Sequence, residues 1–196
     1  MSKRKYQMTR RAQAQEETKG RIVDAIIALH ERVGPKATTV TAIAEEAGVQ
    51  RLTVYKYFPD EEAQLKACTS RWTDQNPRPS AEEWMGYDDL ISRCEAALSS
   101  LYAYYGRTAP MWHQTYRDKD DVPPLANALE GFEGFLADVS KDILAVAEHV
   151  TPELQVTVAH LLAFPTWASL NQACNSDEQM LALVIQWVRA VAKGQG

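Results

Sequence analysis

Apolar residues recur along this chain mostly at intervals of three and four, the spacing that places one stripe of an α-helix against a core. From Thr18 to Val33 the stripe is Ile22, Ile26, Leu29 and Val33, with Ala25 beside it, and Gly34-Pro35 stops the helix. A second short helix is expected over Thr41–Gly48, capped by Thr39 or Thr41. It carries Ile43, Ala44 and Ala47 on one side, and Gly48 supplies the left-handed position that ends it. A third, from about Gln50 to Tyr57, turns Val54 and Phe58 inward and leaves Arg51, Lys56 and Tyr57 more exposed. Pro59-Asp60 then opens a fourth helix over about Glu61–Trp72.

Thr73–Trp84, with Pro77 and Pro79, reads as a loop into a second domain. Beyond it Ile91, Cys94, Leu98, Leu101, Tyr102 and Tyr105 trace a stripe expected to end near Gly106–Pro110. The acidic segment Asp118–Pro124 is the next break, followed by a long helix carrying Leu125, Leu129, Phe132, Leu136, Val139, Ile143 and Val146. Another helix starts at Thr151-Pro152 and contains Pro165, which is expected to bend its axis. The last runs from Ser176 or Asp177 to about Ala192. Gly131 and Gly134 fall inside a helical stretch, where they are expected to allow close packing. Strand-like alternation is scarce, so the fold class is all-α with about nine helices.

The formal net charge of -5 argues against a polyanionic partner until its distribution is read. Through residue 60 there are eleven Lys or Arg and seven Asp or Glu, whereas the rest of the chain holds ten and nineteen. The positive charge is thus gathered at one end. Lys3, Arg4, Lys5, Arg10 and Arg11 lie in a polar stretch, residues 1–17, expected to be a flexible basic arm able to follow a phosphate backbone or enter a minor groove. Its bland alternative is a solvated terminus. Cys68, Cys94 and Cys174 are odd in number and form no C-x-x-C pair, which suits a reducing cytoplasm and buried thiols. No apolar run is long enough for a membrane span, so a cytoplasmic protein without membrane contact is expected.

The informative stretch is residues 18–72. It contains the capped A-x-x-A helix up to Ala47, the turn Gly48-Val49, the pair Gln50-Arg51, the run Thr53-Val54-Tyr55-Lys56-Tyr57-Phe58 and the Pro59-Asp60 start of the next helix. In spacing, capping and aromatic positions it resembles the DNA-binding domain of the TetR family of transcriptional regulators. A helix-turn-helix lays its second helix in the major groove while the first crosses the backbone. Gln50, Arg51 and Thr53 start the recognition helix, where they can approach base edges or phosphates; which residue reads which base stays open. The resemblance implies that Tyr55, Lys56 and Tyr57 hold phosphates and set register. Packing is the alternative role for the two tyrosines, and idle surface charge for Lys56. The family often carries His where this chain has Tyr57, which keeps an aromatic polar tip but changes the donor geometry. Thr39 and Thr41 can cap a helix and touch the DNA backbone, capping being the safer role for Thr41.

Residues 18–60 are therefore expected to form a helix-turn-helix domain, and residues 61–196 a helical effector-binding and dimerisation domain. In the latter, Tyr102, Tyr105, Trp112, Phe132, His160, Phe164 and Trp167 are candidate lining for a small aromatic or lipophilic effector, with core packing as the alternative. His160, Phe164 and Trp167 are expected to share one helix face. On the last helix Met180, Val184, Trp187, Val188 and Val191 form a broad apolar face. The resemblance implies a homodimer interface built by the last two helices, which fits this face and takes in Leu161. A dimer would place two recognition helices one DNA turn apart on a palindromic, double-stranded operator.

No nucleophile elbow, phosphate loop, H-E-x-x-H or zinc-type Cys/His spacing occurs, so no catalysis, metal or cofactor is expected. The expected function is a repressor released from its operator by a small molecule. A regulator without an effector, or an activator, is the alternative.

Overall fold

A computed structural model describes residues 2–193, with side chains described from Ala12 onward. Among these residues there are nine α-helices, one 3-10 turn and no strand. The helices are α1 (Ser2–Val33), α2 (Val40–Ala47), α3 (Arg51–Tyr57), α4 (Glu61–Gln75), α5 (Leu90–Asp118), α6 (Leu125–Leu144), α7 (Pro152–Leu162), α8 (Phe164–Ala173) and α9 (Asp177–Lys193). The five basic side chains of the expected arm lie outside the described residues. Residues 12–17, expected to belong to that flexible arm, are instead part of α1.

The chain forms two compact units. One runs to Pro77 and takes in Pro110–Ala128; the other comprises Arg78–Ala109 and the chain from Leu129 on. In the first unit α1 packs against α2 and α4, and α2 against α3. Ile22, Ile26, Leu29, Ile43, Val54 and Phe58 are buried together with Leu65, Cys68 and Trp72 of α4. Val33, expected on the buried stripe, is partly exposed because α1 ends there. Gly34 closes α1 at a φ of +87°, donating its N–H to the carbonyls of Leu29 and His30. Trp72 donates to Glu31 at 3.0 Å and meets Trp112 edge to face at 5.8 Å.

Two prolines behave differently from expectation. α5 continues through Pro110 to Asp118 instead of ending near Gly106. Pro110 removes only the bond to the Gly106 carbonyl, and both residues are exposed, so water can replace it. Pro165 does not bend one helix; the helix breaks at Ala163, and Pro165 sits in the first turn of α8, where its missing N–H costs nothing. The carbonyls of Leu161 and Leu162, at the end of α7, are met by Tyr102 at 3.0 Å and Tyr105 at 2.7 Å.

In the second unit α7, α8 and α9 pack on one another. Buried Arg93 ties down the segment before α5, donating to the carbonyls of Tyr87, Met85 and Asp142. Gly131 and Gly134 of α6 do not serve close packing, since a Cβ at either would meet nothing within 4 Å.

Candidate nucleic-acid interface

The α2–α3 segment is built by local capping. Thr39, in extended conformation, accepts the Ala42 N–H at 3.1 Å and starts α2; Thr41 lies exposed within the first turn and is not the cap. Gly48 takes φ +63° and ψ +42°, and its N–H and that of Val49 close on the carbonyls of Glu45 and Ala44. α1 braces this turn from behind: Arg21 donates to the Ala47 carbonyl at 3.2 Å, and Arg32 pairs with Glu46 at 2.7 Å. Asp60 then accepts the Ala63 N–H at 2.8 Å and starts α4.

α3 has two faces. Val54 is fully buried and Phe58 follows it into the core, which fixes the helix's rotation. The opposite side presents Gln50, Arg51, Leu52, Tyr55 and Lys56 as exposed, with Thr53 and Tyr57 half-buried at its margins. Lys56 Nζ lies 5.6 Å from the Tyr57 ring, and Tyr57 contacts Phe58, so Tyr57 is in part a packing residue. No acidic residue lies on α3. The expected residues from Gln50 to Lys56 are thus brought to one outward surface. Leu52 was not among them. The signal that marks it is the spacing itself, since Leu52, two positions before the inward Val54, falls on the opposite side of the helix.

Of the residues expected to line an effector pocket, four are brought together and three are not. Tyr105, Phe132, Phe164 and Trp167 are buried, and they pack on one another with ring centroids 5.3 to 6.1 Å apart for the Tyr105 pairs. Tyr104 and Phe135 extend the cluster, and the Arg78 guanidinium covers Phe132 and Phe135. Tyr102 is buried with its hydroxyl engaged by Leu161. Trp112 belongs to the other compact unit. His160 is exposed on α7, while Phe164 and Trp167 are on α8, so the three do not share one helix. His160 Nε2 lies 3.3 Å from Thr166 Oγ1 beside a groove of about 300 Å³ lined also by Pro165, Ser169, Leu170 and Trp187.

Of the residues expected at a dimer interface, Leu161, Met180, Val184 and Val188 are buried inside the subunit itself, because α7, α8 and α9 cover them. Trp187 is 39% exposed and Val191 partly so. Among the described residues no group of three or more His, Cys, Asp and Glu is placed to hold a metal, and no helix is long and apolar enough to cross a membrane.

Comparison with known proteins bears on this surface directly. Residues 22–68, which run from the buried stripe of α1 to Cys68 of α4, match the family model of bacterial regulatory proteins, tetR family. The matched residues take in the helix-turn-helix and parts of the helices on either side of it. The fold of the whole chain is also that of TetR-like regulators. A TetR-like transcriptional regulator from Rhodococcus sp. RHA1 superposes with a TM-score of 0.62 at 14% identity, over 91% of this chain and 97% of that one. A tetR-family regulator from Streptomyces coelicolor gives 0.61 at 19%, over 92% and 84%. The fatty acid degradation regulator FadR from Bacillus halodurans gives 0.53 at 16%, over 91% and 96%. No curated protein matches the chain. The outward face of α3, with its exposed cations and polar side chains, lies within the matched residues.

Proposed function

We propose that this protein is a ligand-responsive transcriptional repressor that binds a palindromic operator as a homodimer. The observation that carries the reading is the outward surface of α3, where Gln50, Arg51, Tyr55 and Lys56 stand exposed in a TetR-type domain while Val54 and Phe58 lock the helix. Gln50 and Arg51 reach base edges; Lys56, Tyr55 and Tyr57 contact phosphates; Thr39 and Thr41 approach the backbone across α2. DNA reading is assigned to residues 18–60, and effector binding and dimerisation to residues 61–196.

Dimerisation is assigned to α8 and α9. Support comes from Trp187, a large apolar side chain left partly exposed next to the groove beside α8. Trp187→Glu should give a monomer that retains its helical content and loses operator affinity, as seen by light scattering, circular dichroism and DNA binding.

The effector reading rests on Trp167, whose indole Nε1 is buried without a hydrogen-bond partner amid the aromatic cluster. A buried donor without an acceptor is unfavourable. A lipophilic molecule carrying a carbonyl or carboxylate would satisfy it on entering between Tyr105, Phe164 and Trp167. The FadR neighbour, a regulator of fatty acid degradation, is in keeping with such a class. Close packing of the same rings supports the second reading, a regulator with no small-molecule effector. Titrating acyl and aromatic carboxylates against a bound operator separates the two, since only the first predicts release.

The decisive experiment for DNA recognition is recovery of fragmented genomic DNA by the purified protein at near-physiological salt, followed by sequencing. A few enriched fragments sharing an inverted repeat support the reading. Uniform or absent recovery by folded, dimeric protein, with and without added effector classes, removes it.

A further inference from the structure

Leu52 is 79% exposed, more than any other large apolar side chain among the described residues. It stands on α3 directly after Arg51, with Tyr55 three positions on and Lys56 four positions on, so these four side chains are neighbours on one helical surface. Its exposure is not an accident of a loosely placed helix. Val54, with no exposed surface, and Phe58, with 3%, anchor the opposite side, and Gly48 and Asp60 define both ends of the segment.

A leucine isolated between two cations is poorly suited to an apolar protein partner, which would require a contiguous apolar patch. It suits a polyanion that offers an isolated apolar spot within a polar surface. The major groove of DNA has one such feature, the C5-methyl group of thymine, because the other base-edge atoms there are hydrogen-bond donors and acceptors. We infer that Leu52 is a specificity-determining residue that reads a thymine methyl in each operator half-site. This rests on the DNA-binding role proposed above for α3. Arg51 and Lys56, on either side, hold the backbone or a guanine edge, and Leu52 selects the thymine between those contacts.

The test replaces each operator thymine in turn by deoxyuridine, which keeps every hydrogen-bonding group and lacks only the methyl. Duplexes are taken from the genomic recovery experiment, and binding is measured for the wild type and for Leu52→Ala. Alanine preserves the helix, and thermal unfolding confirms that the variant is folded. For the wild type, a single deoxyuridine at the thymine that Leu52 reads should weaken binding about fourfold, the factor corresponding to about 0.8 kcal/mol for one buried carbon group. Leu52→Ala should bind the thymine and deoxyuridine duplexes equally.

Wild-type protein indifferent to every deoxyuridine overturns the inference. So does a methyl effect that survives in Leu52→Ala, which would assign the methyl to another residue, or an affinity loss in Leu52→Ala that is equal for all duplexes, which would make Leu52 a general contact. Each of these outcomes leaves operator binding itself intact. Failure of the wild type to select any duplex instead removes the DNA-binding reading and this inference with it.

Discussion

The main-chain N–H of Lys36 donates to Oδ2 of Asp118 at 3.0 Å, across 82 residues of sequence. Asp118 ends α5 and is only 2% exposed, yet it faces the turn between α1 and α2. Arg117 completes the contact, pairing with Asp118 at 2.7 Å and donating to the Val33 carbonyl at 2.8 Å. Lys36 Nζ also reaches Asp121 at 2.7 Å. The start of the helix-turn-helix is thus held by the end of a helix whose first part belongs to the other compact unit.

Asp118→Asn should weaken this clasp. The amide keeps an acceptor for Lys36 but loses the charge that Arg117 meets, and one buried polar atom is left badly paired. A loss of about 1–3 kcal/mol is expected in denaturant unfolding. Burial by itself would push the Asp118 carboxyl up, but the Arg117 guanidinium and the Lys36 N–H and charge outweigh it and hold the group below the usual carboxylate range. A depressed carboxylate stabilises the fold above its unfolded pKa and ceases to do so as pH falls through its folded value. The gap between wild type and Asp118→Asn should therefore be full at neutral pH and close only in strong acid.

Gly34→Ala attacks the same clasp from the other side. Gly34 has a φ of +87°, where a side chain is strained, and a Cβ there would collide with the Arg117 guanidinium and the Asp118 carboxylate. The expected cost is about 2 kcal/mol or more, larger than that of a surface Gly→Ala change. Parallel unfolding of Gly86→Ala, where a Cβ would meet nothing within 4 Å, supplies the comparison.

This clasp also shows where sequence reading reaches its limit. Short-range chemistry was legible: Thr39, Gly48 and Asp60 cap and end helices through bonds spanning a few residues, and they placed α2, α3 and the start of α4 to within a residue. Asp118, by contrast, reads locally as one more charge in an acidic break, because its partner lies in a distant turn. The same holds at Pro165. A bend was the local expectation, but Tyr102 and Tyr105, 57 to 59 residues away, supply donors for the carbonyls at the end of α7 and favour a clean break. Aromatic spacing likewise identified Tyr105, Phe132, Phe164 and Trp167 as inward-facing without revealing that they face one another.

His30 makes stability depend on mildly acidic pH. It is 4% exposed between α1 and α4, with Nδ1 3.4 Å from the Cys68 sulfur, and burial lowers its pKa to about 4 against the opposing pull of Asp118. The unfolded chain takes up a proton near pH 6.5 that the folded chain refuses until about pH 4. Stability should therefore be highest above that window and fall as pH drops through it. A loss of about 1 kcal/mol is expected from about pH 7.5 to about pH 5.5, out of about 3 kcal/mol in all. His30→Gln should lose this slope; an unchanged slope would show that another group carries it.

Thiol chemistry should distinguish the three cysteines. Burial pushes the thiols of Cys68 and Cys94 up to about 12, so neither supplies thiolate near neutral pH, while Cys174 is partly exposed beyond α8. A chromogenic disulfide reagent should titrate one thiol quickly in the native protein and all three after unfolding. Cys174→Ser should remove the fast reaction. A fast second thiol in the native state would mean that α4 or α5 opens far more readily than its packing indicates.

Lys56 and the pair Gln50-Arg51 should separate affinity from selectivity. Lys56 is exposed on the outward side of α3 with its ammonium near the Tyr57 ring, a position suited to a phosphate. Lys56→Ala should weaken binding to operator and to unrelated duplex by similar factors and reduce the magnitude of the log-affinity against log-salt slope by about 1 per protomer. Arg51→Ala should instead weaken the operator more than unrelated DNA, because a lost base contact costs about 1–3 kcal/mol only where the right base was present. Measuring both variants on both duplexes over a salt series tests the assignment. If Arg51→Ala lowers both affinities alike and flattens the salt slope, Arg51 is a backbone contact, and base reading on α3 falls to Gln50 and its exposed neighbours.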